Sequence, residues 1–291
     1  MIPPSFDYYA PATVHEAIGL LQRHGTEAKI LSGGMSLIPL MKLRLAGPRY
    51  LVDINRISGL EYIKEAGGFL RIGALTKEAE LEKSDLIRSK YPILLDTSAV
   101  IADPLVRNRA TVGGNLAHGD PANDHPATML AIGAELAVTG SKGERVIPIT
   151  AFFTGLFDTA LGSDEILTEI RIPIPPSGSG GAYFKLERKV GDFATVGVAA
   201  QLTLGKNGSC ERVGIGLTNV GSTPMKPKKA EDALQGKKID DVAIKRAGQL
   251  ASEASQPIED RRGSEEYKKN VVRVLTVRAL NRALDRARGG I

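Results

Sequence analysis

Apolar residues recur along the first third of the chain in two rhythms, and glycine punctuates the changes between them. Thr13-Val14-His15-Glu16 has the form of a capping box, in which the hydroxyl takes a free helix N–H while Glu16 reaches back. Ala17, Ile18, Leu20 and Leu21 then follow at helical spacing, and Gly25 ends the helix. Ala28-Lys29-Ile30-Leu31 predicts a short strand, followed by the turn Ser32-Gly33-Gly34-Met35-Ser36. Leu37-Ile38-Pro39-Leu40-Met41 runs on into Lys42-Leu43-Arg44-Leu45, and Leu51-Val52-Asp53-Ile54 predicts the next strand. The opening section is therefore a small α/β unit of strand, glycine turn and strand.

Residues 62–75 predict two strands around the turn Ala66-Gly67-Gly68. Thr76 is placed to cap a helix running to about Lys83, and residues 91–102 predict a second, mostly apolar helix. A second glycine turn, Thr111-Val112-Gly113-Gly114-Asn115, comes next. Leu136-Ala137-Val138 and Arg145-Val146-Ile147 predict a hairpin around residues 140–143. Pro173-Ile174-Pro175-Pro176-Ser177-Gly178-Ser179-Gly180-Gly181 then reads as a linker. Beyond it, residues 194–204 and 213–218 predict long strands, and residues 230–234, 243–252 and 264–288 predict helices. The last carries Glu265 and Glu266 in its first turn and arginines late, as the helix dipole favours. No repeat of solenoid period is present. The pattern describes two α+β domains meeting near residue 176.

Composition narrows the classes. With 42% hydrophobic and 24% charged residues over 291 positions, the chain is an ordinary globular protein with room for two cores. No run of about 18 uncharged apolar residues predicts a spanning helix. Met1-Ile2-Pro3-Pro4-Ser5 lacks the basic-then-apolar plan of a signal peptide, so a cytoplasmic place is expected. The net charge of +5 accompanies only 5% aromatics and no tryptophan, which leaves few platforms for stacking bases. Solvated lysines and arginines with some docking surface are expected instead of nucleic-acid binding. The lone Cys210 rules out an intrachain disulfide framework and suits a reducing interior. An iron–sulfur cluster needs about four thiolates, so this chain cannot hold one by itself.

Paired glycines let neighbouring N–H groups point the same way with no Cβ in the path, a concavity suited to phosphate. One Gly-Gly is mostly a tight turn. Two of them, Gly33-Gly34 and Gly113-Gly114, are 80 residues apart and similarly flanked, which suggests a pyrophosphate clamped from both sides. Ser36 and Thr111 would add hydroxyl donors. Neither a G-x-G-x-x-G helix opening nor a P-loop is present, which disfavours a Rossmann dehydrogenase or a P-loop NTPase.

Around the second pair, His118, Asp120, Asp124 and His125 have the residue types of a metal site. Asp120-Pro121 and Asp124 equally suit a turn leading to a helix N-cap, the reading favoured here. Asp103, Arg107 and Arg109 are either catalytic or an ion-pair network that fixes the loop, with the structural role favoured. The four histidines (15, 24, 118 and 125) lack a convincing serine or cysteine partner for nucleophilic catalysis.

The stretch from Ser32 to Leu45 resembles the first FAD motif of the molybdenum-hydroxylase flavoprotein family, and the stretch from Ile101 to Pro126 resembles its second. That family includes the medium subunit of carbon monoxide dehydrogenase and the flavin domain of xanthine dehydrogenase. The resemblance spans essentially the whole chain and implies an α+β fold. A two-subdomain FAD-binding domain of the vanillyl-alcohol-oxidase-like (PCMH) type would cover residues 1–175, with subdomains at about 1–57 and 58–175. A flavoprotein C-terminal domain with an antiparallel sheet and helices would cover 176–291.

The resemblance further implies that Ser32, Gly33, Gly34, Met35 and Ser36, with Thr111, Val112, Gly113, Gly114 and Asn115, hold the FAD pyrophosphate. Ile101 would lie by the dinucleotide and Asp124 would bond its ADP portion. Leu167 would line the flavin pocket, and Lys185 would approach the isoalloxazine ring, where a fixed positive charge favours the reduced flavin. Phe193 matches a position where relatives place an aromatic beside the ring. Position 35 departs from the better-known members, which often carry histidine or another polar residue there.

Three functions follow. The leading one is an electron-relay subunit, taking electrons from [2Fe-2S] clusters of a small chain that serves a large molybdenum-cofactor chain. A dimer of heterotrimers is then expected, with no membrane span but with room for association at the inner face of the membrane. The second is a self-contained FAD oxidoreductase on the same fold, as in the muramate-synthesis reductase group. The third is a flavin-free assembly subunit in which the glycine pairs are plain turns.

Overall fold

A computed structural model describes residues 2–290. Met1, which opens the stretch read for a signal peptide, and Ile291, the end of the second expected domain, lie outside the described residues. The capping box forms: Glu16 N–H donates to the Thr13 hydroxyl at 3.1 Å, and the Glu16 carboxylate accepts from Ala12 N–H at 2.8 Å. The helix Val14–His24 that it starts buries Ala17, Ile18 and Leu21 and stops at Gly25, whose φ is 55°. This helix packs on a three-stranded parallel sheet with Tyr50–Asp53 in the centre, flanked by Asp7–Tyr9 and Ala28–Leu31. Asp7–Tyr9 is not among the elements predicted above.

A second sheet is antiparallel and five-stranded, in the order Ile63–Ala66, Phe69–Gly73, Ile166–Pro173, Glu135–Gly140, Gly143–Pro148. Both predicted hairpins are present. The strand that joins them, Ile166–Pro173, was not predicted. It brings together hairpins that lie far apart in sequence, and a bulge between Leu167 and Glu169 breaks its alternation. Helices Glu78–Lys83, Pro92–Ala99, Val112–Ala117 and His125–Ile132 contribute to the core on this sheet. The cap predicted at Thr76 does not form, because the Thr76 hydroxyl is taken by both backbone groups of Tyr62.

The third sheet is antiparallel, in the order Ser179–Glu187, Ala194–Leu204, Cys210–Thr218. The long helix Glu265–Ala287 packs on it, and helix His125–Ile132 of the preceding region packs on it as well. Glycine makes both contacts possible. A Cβ at Gly214 or Gly216 would overlap the carbonyl oxygens of Ala131 and Ala127, and one at Gly180 would overlap that of Ala283. The expected linker therefore shrinks to residues 174–178. Gly180 and Gly181 lie in a strand, and Gly180 is required by close packing, not by flexibility. Arg286 then reaches back across the seam to Asp96 in a forked pair and to the Gly181 carbonyl at 2.7 Å.

Candidate functional site

The first glycine segment hangs from the end of strand Ala28–Leu31. Asn55 Nδ2 donates to the Ser32 carbonyl at 2.6 Å and fixes where the chain leaves the sheet. Gly34 then takes a left-handed φ of 78°, which other residues adopt only at a cost. The N–H groups of Gly33, Gly34, Met35 and Ser36 find no acceptor among the described residues. Four consecutive donors without an acceptor among the described residues thus lie ahead of the short helix Leu37–Lys42.

The second segment is built differently, and the expectation that it offers a matching nest is corrected. Residues 111–115 open the helix Val112–Ala117, with Thr111 as its N-cap. Every N–H from 112 to 115 is already used. Val112 donates to the Thr76 carbonyl, Gly113 to that of Ala74, Gly114 to the Thr111 hydroxyl and Asn115 to the Thr111 carbonyl, all at 2.9–3.1 Å. Gly113 is glycine because the backbone of Ala74 lies directly against it, 2.6 Å from where a Cβ would sit. The two segments also abut instead of facing each other across a gap. Gly33 packs on the Arg109 carbonyl, and the Ser32 and Thr111 hydroxyls are hydrogen-bonded at 2.6 Å. What the second segment offers a ligand is side-chain chemistry: the Thr111 hydroxyl, and the Asn115 Oδ1, which is buried without a partner.

Asp124 opens helix His125–Ile132 but makes no side-chain cap there. Its carboxylate is turned to the third sheet, where Tyr183 Oη donates to Oδ1 at 2.5 Å and Lys185 Nζ to Oδ2 at 3.1 Å. Lys185 also donates to the Val100 carbonyl at 2.9 Å, next to buried Ile101. Burial pushes the Asp124 carboxyl above the usual carboxylate range, against the opposing pull of Lys185 and Tyr183. Burial likewise raises the Tyr183 phenol well above its ordinary value.

Leu167 is buried in the core of the second sheet, Met35 is half-buried, and Phe193 is about half exposed. Asp124 and Lys185, read separately from the sequence, are in direct contact.

The candidate metal ligands do not converge. His125 Nε2 sits 2.7 Å from Glu78 Oε2 in a fully buried pair, and His118 lies tilted against Phe157. Asp120 accepts locally from Ala122 N–H. No group of three or more potential ligands is found among the described residues. Asp103 caps the short helix Pro104–Arg107, and Arg107 binds Glu82 and the Ile101 carbonyl, so both fix the loop.

Tyr183, Asn55 and Glu78 were missed by the sequence reading. The signal for Tyr183 was available, since residues two apart on a strand share a face and Lys185 was already singled out. Taken together, the four donors without an acceptor among the described residues and the Lys185 ammonium suit an anionic group such as a pyrophosphate, and the unpartnered Asn115 Oδ1 can accept from a hydroxyl or N–H of the same ligand.

Residues 4–175 match the model of the FAD binding domain in molybdopterin dehydrogenase, and residues 181–283 match the CO dehydrogenase flavoprotein C-terminal domain. The chain is 44% identical to the carbon monoxide dehydrogenase medium chain of Afipia carboxidovorans, covering 99% of this chain and all of that one. It is 38% identical to the 6-hydroxypseudooxynicotine dehydrogenase complex subunit alpha of Paenarthrobacter nicotinovorans, over 99% of this chain and 97% of that one. The structure superposes on carbon monoxide dehydrogenase from Hydrogenophaga pseudoflava, in a form lacking the Mo-pyranopterin moiety, with a TM-score of 0.96. That comparison has 44% identity and covers 98% of this chain and 99% of the other.

The chain belongs to the flavoprotein family of the molybdopterin dehydrogenases, and its cofactor is FAD. Within that family it is of the medium-subunit type, the FAD-dependent subunit of an oxidoreductase.

Proposed function

We propose that the chain is the electron-relay subunit of a heterotrimeric molybdenum hydroxylase, passing electrons from [2Fe-2S] clusters in a small partner chain to an external acceptor. Bound FAD supplies the redox step between a one-electron donor and that acceptor, and the residues of this chain hold and tune it. The observation that carries the reading is the row of four unpaired N–H groups at residues 33–36, in a chain matched end to end by medium subunits.

In this reading the pyrophosphate lies on Ser32, Gly33, Gly34, Met35 and Ser36. Met35 contributes through its backbone, so its side chain is no obstacle to binding. The Thr111 hydroxyl and the Asn115 side chain complete the cradle, with Val112, Gly113 and Gly114 as its packed support. Ile101 and Leu167 form apolar walls that exclude water, Lys185 and Asp124 meet the cofactor at the seam, and Phe193 stands beside the ring. The FAD-binding part is residues 1–175, divided near residue 57, and 176–291 closes the site.

The single cysteine is consistent with clusters carried by another chain. The partners are then a large molybdenum-cofactor subunit and a small iron–sulfur subunit, assembled as a dimer of heterotrimers in the cytoplasm or at the inner face of the membrane. Relatives named for carbon monoxide and for a nicotine derivative share this architecture, so the substrate is a property of the large subunit.

The test is purification from the native source. A flavin absorbance spectrum and co-purification with one larger molybdenum-containing and one smaller iron–sulfur chain are expected. Flavin-free protein from a well-supplied host would favour the assembly role, and substrate turnover by the chain alone would favour the self-contained enzyme.

A further inference from the structure

Asp124 sits where a helix N-cap belongs, yet its carboxylate leaves its own helix uncapped and crosses the domain seam. An aspartate at that position ordinarily accepts from the first turn. Here Tyr183 and Lys185 compete for it successfully. They are two residues apart on strand Ser179–Glu187 and present the same face, so each takes one carboxylate oxygen. The sheet is shaped for this contact. Gly197, paired in register with Lys185, has no Cβ, and one built there would overlap the Tyr183 hydroxyl.

Lys185 has a second carboxylate within reach, Glu187 at 3.4 Å, whose Oε2 makes no hydrogen bond. Its bond to Asp124 is shorter, at 3.1 Å. What distinguishes the two acids is the tyrosine. A buried carboxylate is costly unless hydrogen-bonded, and Tyr183 meets that need on the oxygen that Lys185 does not use.

We infer that Tyr183 is a positioning residue of the flavin site: its buried hydroxyl aims and stabilises the Asp124 carboxylate, which in turn pins the Lys185 ammonium at the cofactor. The inference rests on the reading above that FAD lies against Asp124 and Lys185. Tyr183 itself need not touch the cofactor. Without its hydroxyl, Asp124 loses a donor, and the ammonium can drift toward Glu187. The cation is then less available to the reduced flavin, which becomes harder to form.

The experiment uses the holoprotein with Tyr183→Phe, Asp124→Asn, the double variant and Lys185→Met. The readouts are the FAD dissociation constant, the visible flavin spectrum and the midpoint potential. Tyr183→Phe is expected to weaken FAD roughly tenfold, the size of losing one hydrogen bond to a charged group. It should also lower the potential in the direction of Lys185→Met. In the Asp124→Asn background the same change should add nothing, since the hydroxyl acts only through that carboxylate.

Wild-type affinity and potential in Tyr183→Phe, alongside altered values in Asp124→Asn and Lys185→Met, would overturn the inference and leave the flavin location intact. Unchanged flavin in all four would overturn both. Should Tyr183→Phe not fold, biosynthetic replacement of the 7 tyrosines by 3-fluorotyrosine gives a more acidic phenol. Tighter FAD on fluorination, with no such effect in the Asp124→Asn background, would support the role, and no change in either would sink it.

Discussion

The two Gly-Gly segments look alike in sequence and do different physical work. At residues 33–36 the strand beneath has ended, and although the Arg109 backbone packs on Gly33, the four N–H groups find no acceptor among the described residues. At residues 112–115 the chain lies on Ala74 and Thr76 and turns into a helix, so each N–H is satisfied internally. Glycine serves the first segment through the left-handed conformation at Gly34 as well as lack of bulk at Gly33, and the second through lack of bulk alone at Gly113. A motif of paired glycines therefore says that backbone is needed close by. It does not say whether the other party is a ligand or the protein itself.

Substitution should separate the two uses. Gly113→Val forces a side chain into the Ala74 backbone in a buried position, and destabilisation of about 3 kcal/mol is expected. Thermal unfolding should drop sharply and flavin should be lost along with the fold. Gly34→Val incurs about 1–2 kcal/mol for its left-handed conformation. It should leave the far-ultraviolet circular dichroism intact while the purified protein carries no flavin. Retention of FAD by Gly34→Val would erase the contrast.

The hydroxyl pair joining the segments offers a finer comparison. Thr111→Ala removes both the cap on Gly114 and the bond to Ser32, and about 1 kcal/mol of stability should go with it. Ser32→Ala removes only the shared bond, and a loss of about 0.5 kcal/mol is expected by chemical denaturation. Equal losses would mean that the cap contributes nothing.

Acid should produce the smallest effect. Burial acts to raise the Glu169 carboxyl, but the Tyr62 hydroxyl and the Arg171 and Arg71 guanidinium groups together hold it below its ordinary range. A depressed carboxylate contributes stability that is fully present above the unfolded value, about 4.3, and is lost as pH falls through the folded one. Ala74 N–H donates to the Thr168 carbonyl beside Glu169, so the second segment depends on this strand while the first rests on another sheet. Amide exchange at mildly acid pH should therefore quicken at residues 112–115 before the strands around residue 30. Glu169→Gln should flatten that pH dependence, and simultaneous loosening of both regions would refute the separation.

Much of the fold was legible where local chemistry decides it. The capping box at Thr13 and Glu16, both hairpins of the second sheet and the acidic first turn of helix Glu265–Ala287 follow from spacing and side-chain type. Strand Ile166–Pro173 was not legible, because its pairing partners lie far away in sequence and its alternation is broken by a bulge. The glycine-rich start of strand Ser179–Glu187 read as a linker, since glycine placed for close helix packing has the same signature as glycine placed for freedom. In the site, the first glycine turn was readable, but the Asp124–Tyr183–Lys185 cluster was not. Asp124 looked like a cap, but Tyr183 and Lys185 on the third sheet take its carboxylate instead.

By itself the sequence determined the inventory: one thiol, too few for a cluster; two glycine pairs; and a lysine at position 185. These depend on counting and on local periodicity, which need no partner. The tertiary structure alone decided which backbone donors stay free and which acid meets the lysine. A hydrogen bond depends on what lies within about 3 Å, and that neighbour is brought there by packing from a distant part of the chain.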